Sequence, residues 1–348
     1  MVPHLEQDAY IGCREIVRKS LSQKSLKDKS IDIIMSSLSE KTYKQYDSCL
    51  RNWYNYSKNY GIDYLKPTVS DIINFLASIY ENGAQYGTIN SHKSAVSLYL
   101  PTYLGTSYLR DERINRFMKG VFRLRPTAPK YDLTWDPGIV LRYLSKKWPN
   151  DSLDLESLSK KLSTLLALVT AHRVQTLTLI KLNNINIIEN AEVLIKIPDP
   201  IKTLRLNSTQ PLLKLPFFDQ NPNICPARCL ISYINKTRSL RSGDHNNLFI
   251  SYRRPHSKLS SQRLSHWIKD TLKQSGLDTT MFSTHSTRHA ATSKASSLGI
   301  SLDIIRKTAG WSTLSSVFAR FYNREIVIDH KNQFAQAILS CTSNTTLD

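Results

Sequence analysis

A short stretch without helical or strand periodicity divides this sequence of 348 residues. The stretch from Arg125 to Lys130 contains two prolines, which disfavour a continuous helix because proline lacks a backbone N–H and restricts the residue before it. We predict a linker over residues 126–134, a smaller domain over 35–125 and a larger domain over 135–348. A chain of this length commonly forms two domains. Residues 1–34 show no clear pattern and are predicted as a weakly structured, flexible lead-in.

The smaller domain is predicted to contain four helices. Apolar residues from Tyr43 to Trp53 are spaced by three or four positions, which places them on one helical face. Thr68 is followed three residues later by Asp71, a capping pattern that predicts the start of a second helix. A third helix is predicted over about 86–99 and a fourth, basic helix over 110–125. Four helices in about 90 residues predict a small all-α domain.

The larger domain is predicted to be mostly helical with a small antiparallel sheet. A leucine-rich helix covers about residues 153–169, and Pro226 is well placed as the first residue of another. Short apolar runs at 185–188, 193–197 and 212–215 are typical of strands. Further helices are predicted over about 260–274, 285–297, 301–308 and 313–322, with a last apolar run at 334–339.

The charge of the chain indicates what kind of partner it binds. The sequence has 47 Lys+Arg and 28 Asp+Glu, a net charge of +19 that is spread through both predicted domains. Such a surface favours a polyanion such as nucleic acid, although an ordinary solvated surface is the alternative. Two sets of basic residues are predicted to contact a DNA backbone. They are Lys41, Lys44 and Arg51 on the first predicted helix, and Arg110, Arg113, Arg116, Lys119 and Arg123 on the fourth.

Composition and motifs argue against several other classes of protein. The five cysteines are odd in number and scattered, so we expect no disulfide framework. No secretion signal or membrane-spanning segment is predicted, and no glycine-rich phosphate loop is present. Cys225 and Cys229 lack a second Cys/His pair, so their spacing favours a helix start over a zinc site. We expect no metal and no cofactor.

Several polar and aromatic residues in the larger domain are candidates for chemistry. An arginine that follows an apolar helix is expected to be paired or to face a ligand. A histidine and an arginine three residues apart lie on one helical face and can reach one ligand. Taken singly, each candidate also fits a structural role, such as a solvated side chain or a core aromatic residue. In chain order the candidates are Arg173, Lys202 in the turn after the second strand, His285 with Arg288, and Trp311 followed by Tyr322.

In this order, the candidates resemble the catalytic set of the tyrosine recombinases, the phage-integrase family. The resemblance covers about residues 35–340. It implies a mainly α protein with an N-terminal four-helix, SAM-like core-binding domain and an α+β catalytic domain that contains a small antiparallel sheet. Residues 171–177 (AHRVQTL) and 309–312 (AGWS) are most similar to recombinases of eukaryotic mobile elements of the DIRS-like or Crypton-like type.

The resemblance implies a transesterification at a phosphodiester. Tyr322, the only tyrosine after Trp311, is the candidate nucleophile. Arg173 and Arg288 supply planar, permanently charged groups that match phosphate oxygens. The implied products are a 3′-phosphotyrosine and a free 5′ hydroxyl, formed without a metal or a nucleotide.

The remaining candidates would stabilise charge and supply a proton. His285 and Trp311 can each donate a hydrogen bond to the developing charge, and Lys202 matches the position of the family's general acid toward the 5′ oxygen. The sequence departs from the family pattern in three ways. Thr176 replaces a usual acidic residue, tryptophan replaces histidine at position 311, and the interval of 11 residues to Tyr322 is longer than typical.

The sequence therefore predicts a site-specific DNA recombinase or integrase of a mobile element. Its expected partner is double-stranded DNA, on which it would act as a homo-tetramer with synapsed sites. A domesticated DNA-binding protein without activity and a type IB topoisomerase-like enzyme are the alternatives. We expect a nuclear protein in a eukaryotic host, or one in the cytoplasm or nucleoid of a prokaryote. The apolar segment 334–339 either packs within its own chain or docks on a neighbouring protomer.

Overall fold

The chain divides into two compact units, Met1–Ala128 and Pro129–Asp348. The computed structural model describes residues 9–100, 111–127, 131–189, 191–201, 210–241, 246–311 and 322–327. Helices predominate in both units, and the described strands belong to the second unit. Among the described residues, none of the helices combines the length and the apolar character that crossing a bilayer requires.

The first unit is built from helices. The four that the sequence predicts are α3 (Glu40–Asn59), α4 (Val69–Glu81), α5 (Tyr86–Val96) and α6 (Glu112–Leu124). The predicted capping box at Thr68 is present, since its side chain accepts a hydrogen bond from Asp71 N while the Asp71 carboxylate accepts one from Thr68 N. Such caps satisfy backbone N–H groups that have no partner within the helix.

The core of the first unit is centred on Trp53. Its indole Nε1 donates hydrogen bonds to Tyr99 Oη at 2.8 Å and to the Tyr64 carbonyl at 3.2 Å. The ring of Phe75 lies 5.1 Å away, centroid to centroid. The tryptophan is buried together with its polar atom because that atom is fully hydrogen-bonded.

The prediction of a weakly structured lead-in over residues 1–34 is wrong for its described part. Two further helices, α1 (Cys13–Ser22) and α2 (Asp28–Met35), precede α3. Ile16 and Ile31 are buried in the same core as Trp53. Asp47 on α3 also accepts a hydrogen bond from Cys13 N at 2.8 Å, which fixes the start of α1. The segment is ordered because its apolar residues complete a core that the other helices leave open.

The second unit surrounds the leucine-rich helix α8 (Leu155–Thr170). Four of its leucines, Leu158, Leu162, Leu165 and Leu166, are fully buried. Around it lie α7 (Pro137–Ser145), α9 (Val174–Leu177), α10 (Pro226–Thr237), α11 (Ser261–Gln274), α12 (Ser286–Ser297) and α13 (Leu302–Thr308). Pro226 is the first helical residue of α10, as predicted, and the Cys225 thiol precedes it as an N-cap.

The three predicted strands form an antiparallel sheet. They are β2 (Ile185–Ile188), β3 (Glu192–Lys196) and β4 (Leu212–Pro216), with β3 in the centre. Val193 lies opposite Leu215 and Ile195 opposite Leu213, and all four side chains are buried. Alternation along β3 therefore directs one face of the sheet to the core. A mainly α fold with a small antiparallel sheet is confirmed.

A second, two-stranded sheet was not predicted. Strand β1 (Leu133–Trp135) pairs in parallel with β5 (Glu325–Val327). The predicted linker over 126–134 is therefore too long, because Tyr131 and Thr134 are already buried in the second unit. The predicted helix over about 313–322, except for Tyr322, and the apolar run at 334–339 lie outside the described residues.

Candidate active site

Helix α12 carries two of the candidate residues at its start. Its first turn is fixed from outside, because Trp135 Nε1 donates a hydrogen bond to Ser286 Oγ at 2.8 Å. His285 occupies the N-cap position and is exposed, whereas Arg288 is only 1% exposed. Arg288 Nη1 donates a hydrogen bond of 2.9 Å to the Ala171 carbonyl. Within the described residues, Nε and Nη2 of Arg288 have no hydrogen-bond partner.

The turn that follows α8 brings Arg173 to the same place. Ala171 ends α8 in the left-handed conformation, with φ of 49°, and Arg173 is the N-cap of the short helix α9. Burial, followed by the positive charge of Arg173, lowers the pKa of Arg288 from 12.5 to about 9, while Tyr322 acts in the opposite direction. Arg288 thus stays charged at neutral pH. Among the described residues, neither arginine forms a salt bridge with a carboxylate.

Tyr322 lies against this cationic group. A hydrogen bond of 2.8 Å joins its hydroxyl to His285 Nε2, and the residue is 8% exposed. The ring of Trp311 lies 4.7 Å from the Tyr322 ring, and the Arg288 guanidinium lies 4.1 Å from the Trp311 ring. The structure therefore brings four of the predicted residues together: His285, Arg288, Trp311 and Tyr322. The first two lie at the start of α12, and the other two come from later parts of the chain.

The short helix α9 contains one departure from the family pattern, at Thr176. Thr176, at the position where the family usually has an acid, is buried, and its backbone N–H donates a hydrogen bond of 2.8 Å to the Arg173 carbonyl. The neutral side chain of Thr176 cannot form a salt bridge with a guanidinium. The site therefore has less negative charge next to its arginines than the family pattern provides.

His172 is a part of this site that the sequence analysis did not select. It is buried and directly precedes Arg173, and burial together with the charges of Arg288 and Arg173 lowers its pKa from 6.5 to about 4. It is thus neutral at pH 7. A Cβ atom on Gly310 would lie 2.9 Å from His172 Cε1, and Gly310 has φ of +67°. Only glycine fits this approach, which sets the turn that precedes Trp311.

His289 and Ser293 are two further contacts of Tyr322 that were not predicted. The His289 ring stacks on the Tyr322 ring, with a centroid distance of 4.2 Å and an interplanar angle of 18°. Ser293 Oγ donates a hydrogen bond of 2.6 Å to the Tyr322 carbonyl. Their position on α12, four and eight residues after His285, is the signal that could have identified them.

The arrangement suits an anion that offers several oxygen acceptors. The Arg288 guanidinium and the His285 imidazole lie against Tyr322, and Arg173 is close enough to Arg288 to lower its pKa. The unpartnered N–H groups of Arg288 are costly to bury without an acceptor. A phosphodiester supplies two non-bridging oxygens that match such planar donors. The geometry can therefore hold a phosphate beside the Tyr322 hydroxyl.

The other predicted site residues are placed as follows. Lys202 and Arg110 lie outside the described residues. In the first unit Lys41, Lys44, Arg113, Arg116, Lys119 and Arg123 are exposed. Arg113 is paired with Asp111 at 2.9 Å. Arg51 is exposed too, but it pairs with Asp47 at 3.3 Å and lies over the Tyr10 ring, so it also stabilises the start of the unit.

The fold, mostly helical with a small antiparallel sheet, matches that of the tyrosine recombinases. A model of the phage integrase family matches residues 149–326, slightly more than half of the chain, and the chain belongs to that family. No curated protein shows a significant sequence match.

Solved structures share the fold over almost the whole chain. A XerH site-specific recombinase bound to palindromic difH substrate in a post-cleavage complex is 15% identical, with 95% of each chain covered and a TM-score of 0.62. The Tn1549 transposon integrase in complex with transposon right end DNA is 14% identical, with 94% of this chain and 100% of that chain covered and a TM-score of 0.56. The similarity includes both units of the chain.

Proposed function

We propose that the chain is a site-specific DNA recombinase or integrase that cuts and rejoins DNA through a 3′-phosphotyrosine on Tyr322. The hydrogen bond between the Tyr322 hydroxyl and His285, beside the buried Arg288, is the observation that carries this proposal. A tyrosine needs such an environment to become a nucleophile, because its hydroxyl is weakly acidic and the phosphate it attacks is negatively charged.

The proposed reaction is an exchange of one phosphodiester for another. The Tyr322 oxygen forms a bond to phosphorus as the bond from phosphorus to the 5′ oxygen breaks. The Tyr322 proton passes to His285 Nε2, while Lys202 supplies a proton to the 5′ oxygen. Arg173 and Arg288 neutralise charge on the non-bridging oxygens, and Trp311 donates a hydrogen bond to them. The reverse step, with a 5′ hydroxyl from another strand, rejoins the DNA and restores Tyr322.

The first unit is proposed to hold the duplex by its phosphates. Arg116, Lys119 and Arg123 are exposed on α6, whereas Ile114 and Met118 of the same helix are buried in the core. The exposed flank thus presents positive charge away from the packed face, which suits contact with a DNA backbone. Two solved structures of similar fold, those of the XerH recombinase and the Tn1549 integrase, are complexes with DNA.

We further propose an origin in a eukaryotic mobile element of the DIRS-like or Crypton-like type, with nuclear action as a tetramer on synapsed DNA. The support is the sequence of residues 171–177 and 309–312, which resembles recombinases of such elements. Repeats or a reverse-transcriptase gene beside the coding sequence would support this origin. A locus with neither would favour a domesticated gene.

Covalent capture of DNA tests the chemistry. The full chain is incubated with nicked duplexes of randomised sequence, and complexes that survive denaturation are isolated and sequenced. We expect wild type to trap DNA and Tyr322→Phe to trap none. The matched control is Tyr143→Phe, which removes a hydroxyl bonded to Gln274 on the surface of the same unit and should trap DNA like wild type. Trapping by Tyr322→Phe would refute the assignment of the nucleophile.

One observation favours the non-catalytic alternative. Because Thr176 provides no carboxylate, Arg173 lacks the partner that the family pattern supplies. An inactive DNA-binding protein would bind duplexes with a steep salt dependence and form no covalent complex with any nicked substrate. Introducing Thr176→Glu separates the two functions, since it should raise the rate of trapping if Arg173 orientation limits an active enzyme.

A further inference from the structure

We propose that helix α12 holds the nucleophile at three points, and that His289 and Ser293 are positioning residues for Tyr322. This inference rests on the proposed role of Tyr322. His285, His289 and Ser293 are spaced by four residues and so lie along one face of the helix. They contact, respectively, the hydroxyl, the ring and the main chain of Tyr322.

His289 fixes the plane of the tyrosine ring. It is 8% exposed and stacks on Tyr322, and Tyr131 packs edge-on against it with a centroid distance of 5.2 Å. Tyr131 is itself held, because its hydroxyl lies 2.6 Å from Ser283 Oγ and accepts a hydrogen bond from Ser283 N at 3.1 Å. The His289 ring therefore cannot turn away from Tyr322 without disturbing a buried, hydrogen-bonded tyrosine.

Ser293 fixes the main chain of the same residue. Its hydroxyl donates a hydrogen bond of 2.6 Å to the Tyr322 carbonyl and accepts one of 3.0 Å from Arg324 N. One buried side chain thus holds the backbone on both sides of Asn323, immediately before β5 begins. Ring and backbone are fixed by the same helix that carries His285 and Arg288, so the nucleophile and the groups that act on it share one rigid support.

This support matters because the attack on phosphorus requires a narrow range of distance and angle. A displacement of about 1 Å costs on the order of 10²-fold in rate. Removing one buried hydrogen bond or one ring stack lowers the equilibrium constant for correct placement of Tyr322 by a factor of about five to ten. A positioning role therefore predicts slower covalent attack with unchanged DNA affinity.

The first measurement needs no DNA. Tetranitromethane nitrates accessible tyrosines, and trypsin cleavage after Arg320 and Arg324 releases residues 321–324, in which Tyr322 is the only tyrosine. We expect Ser293→Ala and His289→Ala to nitrate Tyr322 about five- to tenfold faster than wild type. His289→Phe, which keeps a stacking ring, should react nearly as slowly as wild type. The control is Ser297→Ala, which removes an exposed hydroxyl bonded to Lys294 on the same helix.

The second measurement is the rate of covalent trapping on a captured DNA, with DNA affinity and circular dichroism recorded in parallel. Ser293→Ala and His289→Ala should trap at least tenfold more slowly at saturating DNA. His289→Phe should recover most of the loss, and Ser297→Ala should match wild type. Nitration of Ser293→Ala and His289→Ala at the rate of Ser297→Ala would overturn the proposal. If wild type traps no DNA, the proposed function fails, and the nitration rates still decide whether α12 holds Tyr322.

Discussion

Replacing His172 with glutamine should make the second unit less sensitive to acid. His172 is 7% exposed beside Arg173, and burial and the charges of Arg288 and Arg173 lower its pKa to about 4. In the unfolded chain the pKa of a histidine returns to about 6.5. The folded and unfolded states therefore bind protons differently between these two values, and stability depends on pH there.

The direction and size of the effect follow from this difference. Above pH 6.5 the imidazole is neutral in both states and contributes nothing. As the pH falls toward 4, the unfolded chain takes up a proton that the folded chain excludes, so the free energy of unfolding decreases. At about 1.36 kcal/mol per pH unit, the interval from 6.5 to about 4 corresponds to a loss of about 3 kcal/mol. Below pH 4 the loss is complete.

Urea unfolding at pH 7.5 and pH 4.5, followed by tryptophan fluorescence, measures this pH-dependent loss in the free energy of unfolding. Four of the five tryptophans, at positions 135, 148, 267 and 311, lie in the second unit and report on it. Between the two pH values, wild type should lose about 2–3 kcal/mol more than His172→Gln. Other titrating groups are common to both proteins and cancel in the comparison. Equal losses would show that His172 is not kept neutral by its surroundings and would refute the argument.

Three other variants test the remaining features. Gly310→Ala should lower the free energy of unfolding by about 1–3 kcal/mol, since its Cβ would meet the His172 imidazole at 2.9 Å. Gly276→Ala, with no atom within 4 Å, should lose only the cost of its left-handed backbone, and urea titration compares the two variants. Replacing Arg116 and Lys119 together by alanine should reduce the slope of log Kd against log salt by about 2, and an unchanged slope would remove α6 from the DNA interface. Arg288→Lys should slow covalent trapping by about 10²–10³-fold with little change in DNA affinity, because lysine lacks the planar donors.

Long periodic elements could be predicted from the sequence because their signals are local. The helices α3 to α6, the leucine-rich α8 and the three-stranded sheet follow directly from spacings of three to four or of two residues. The first two helices could not be recognised as easily. Helix α1 buries Cys13 and Ser20 beside Ile16 and Val17, so its buried face is only partly apolar. Its order depends on a core that the rest of the unit supplies.

The site residues that could be predicted are those whose side-chain type is itself informative. Residue type and chain order marked out His285, Arg288, Trp311 and Tyr322, because each has chemistry that a phosphate requires. His289 and Ser293 have no such mark, and their relation to Tyr322 is visible only in contacts across about 30 residues of sequence. Strands β1 and β5 have three residues each, too few for a period to be seen.

The pairing of these two short strands has a consequence for biosynthesis. Leu133 pairs with Glu325, which is 192 residues later in the chain. In a growing polypeptide, α8 and the helices around it can therefore pack long before β5 leaves the ribosome. Long-range pairings such as that of β1 with β5 form late in folding. Tyr322 lies three residues before β5, so its backbone is secured only after β5 has been made. A chain that still lacks β5 can thus expose its basic surfaces before Tyr322 is held in place.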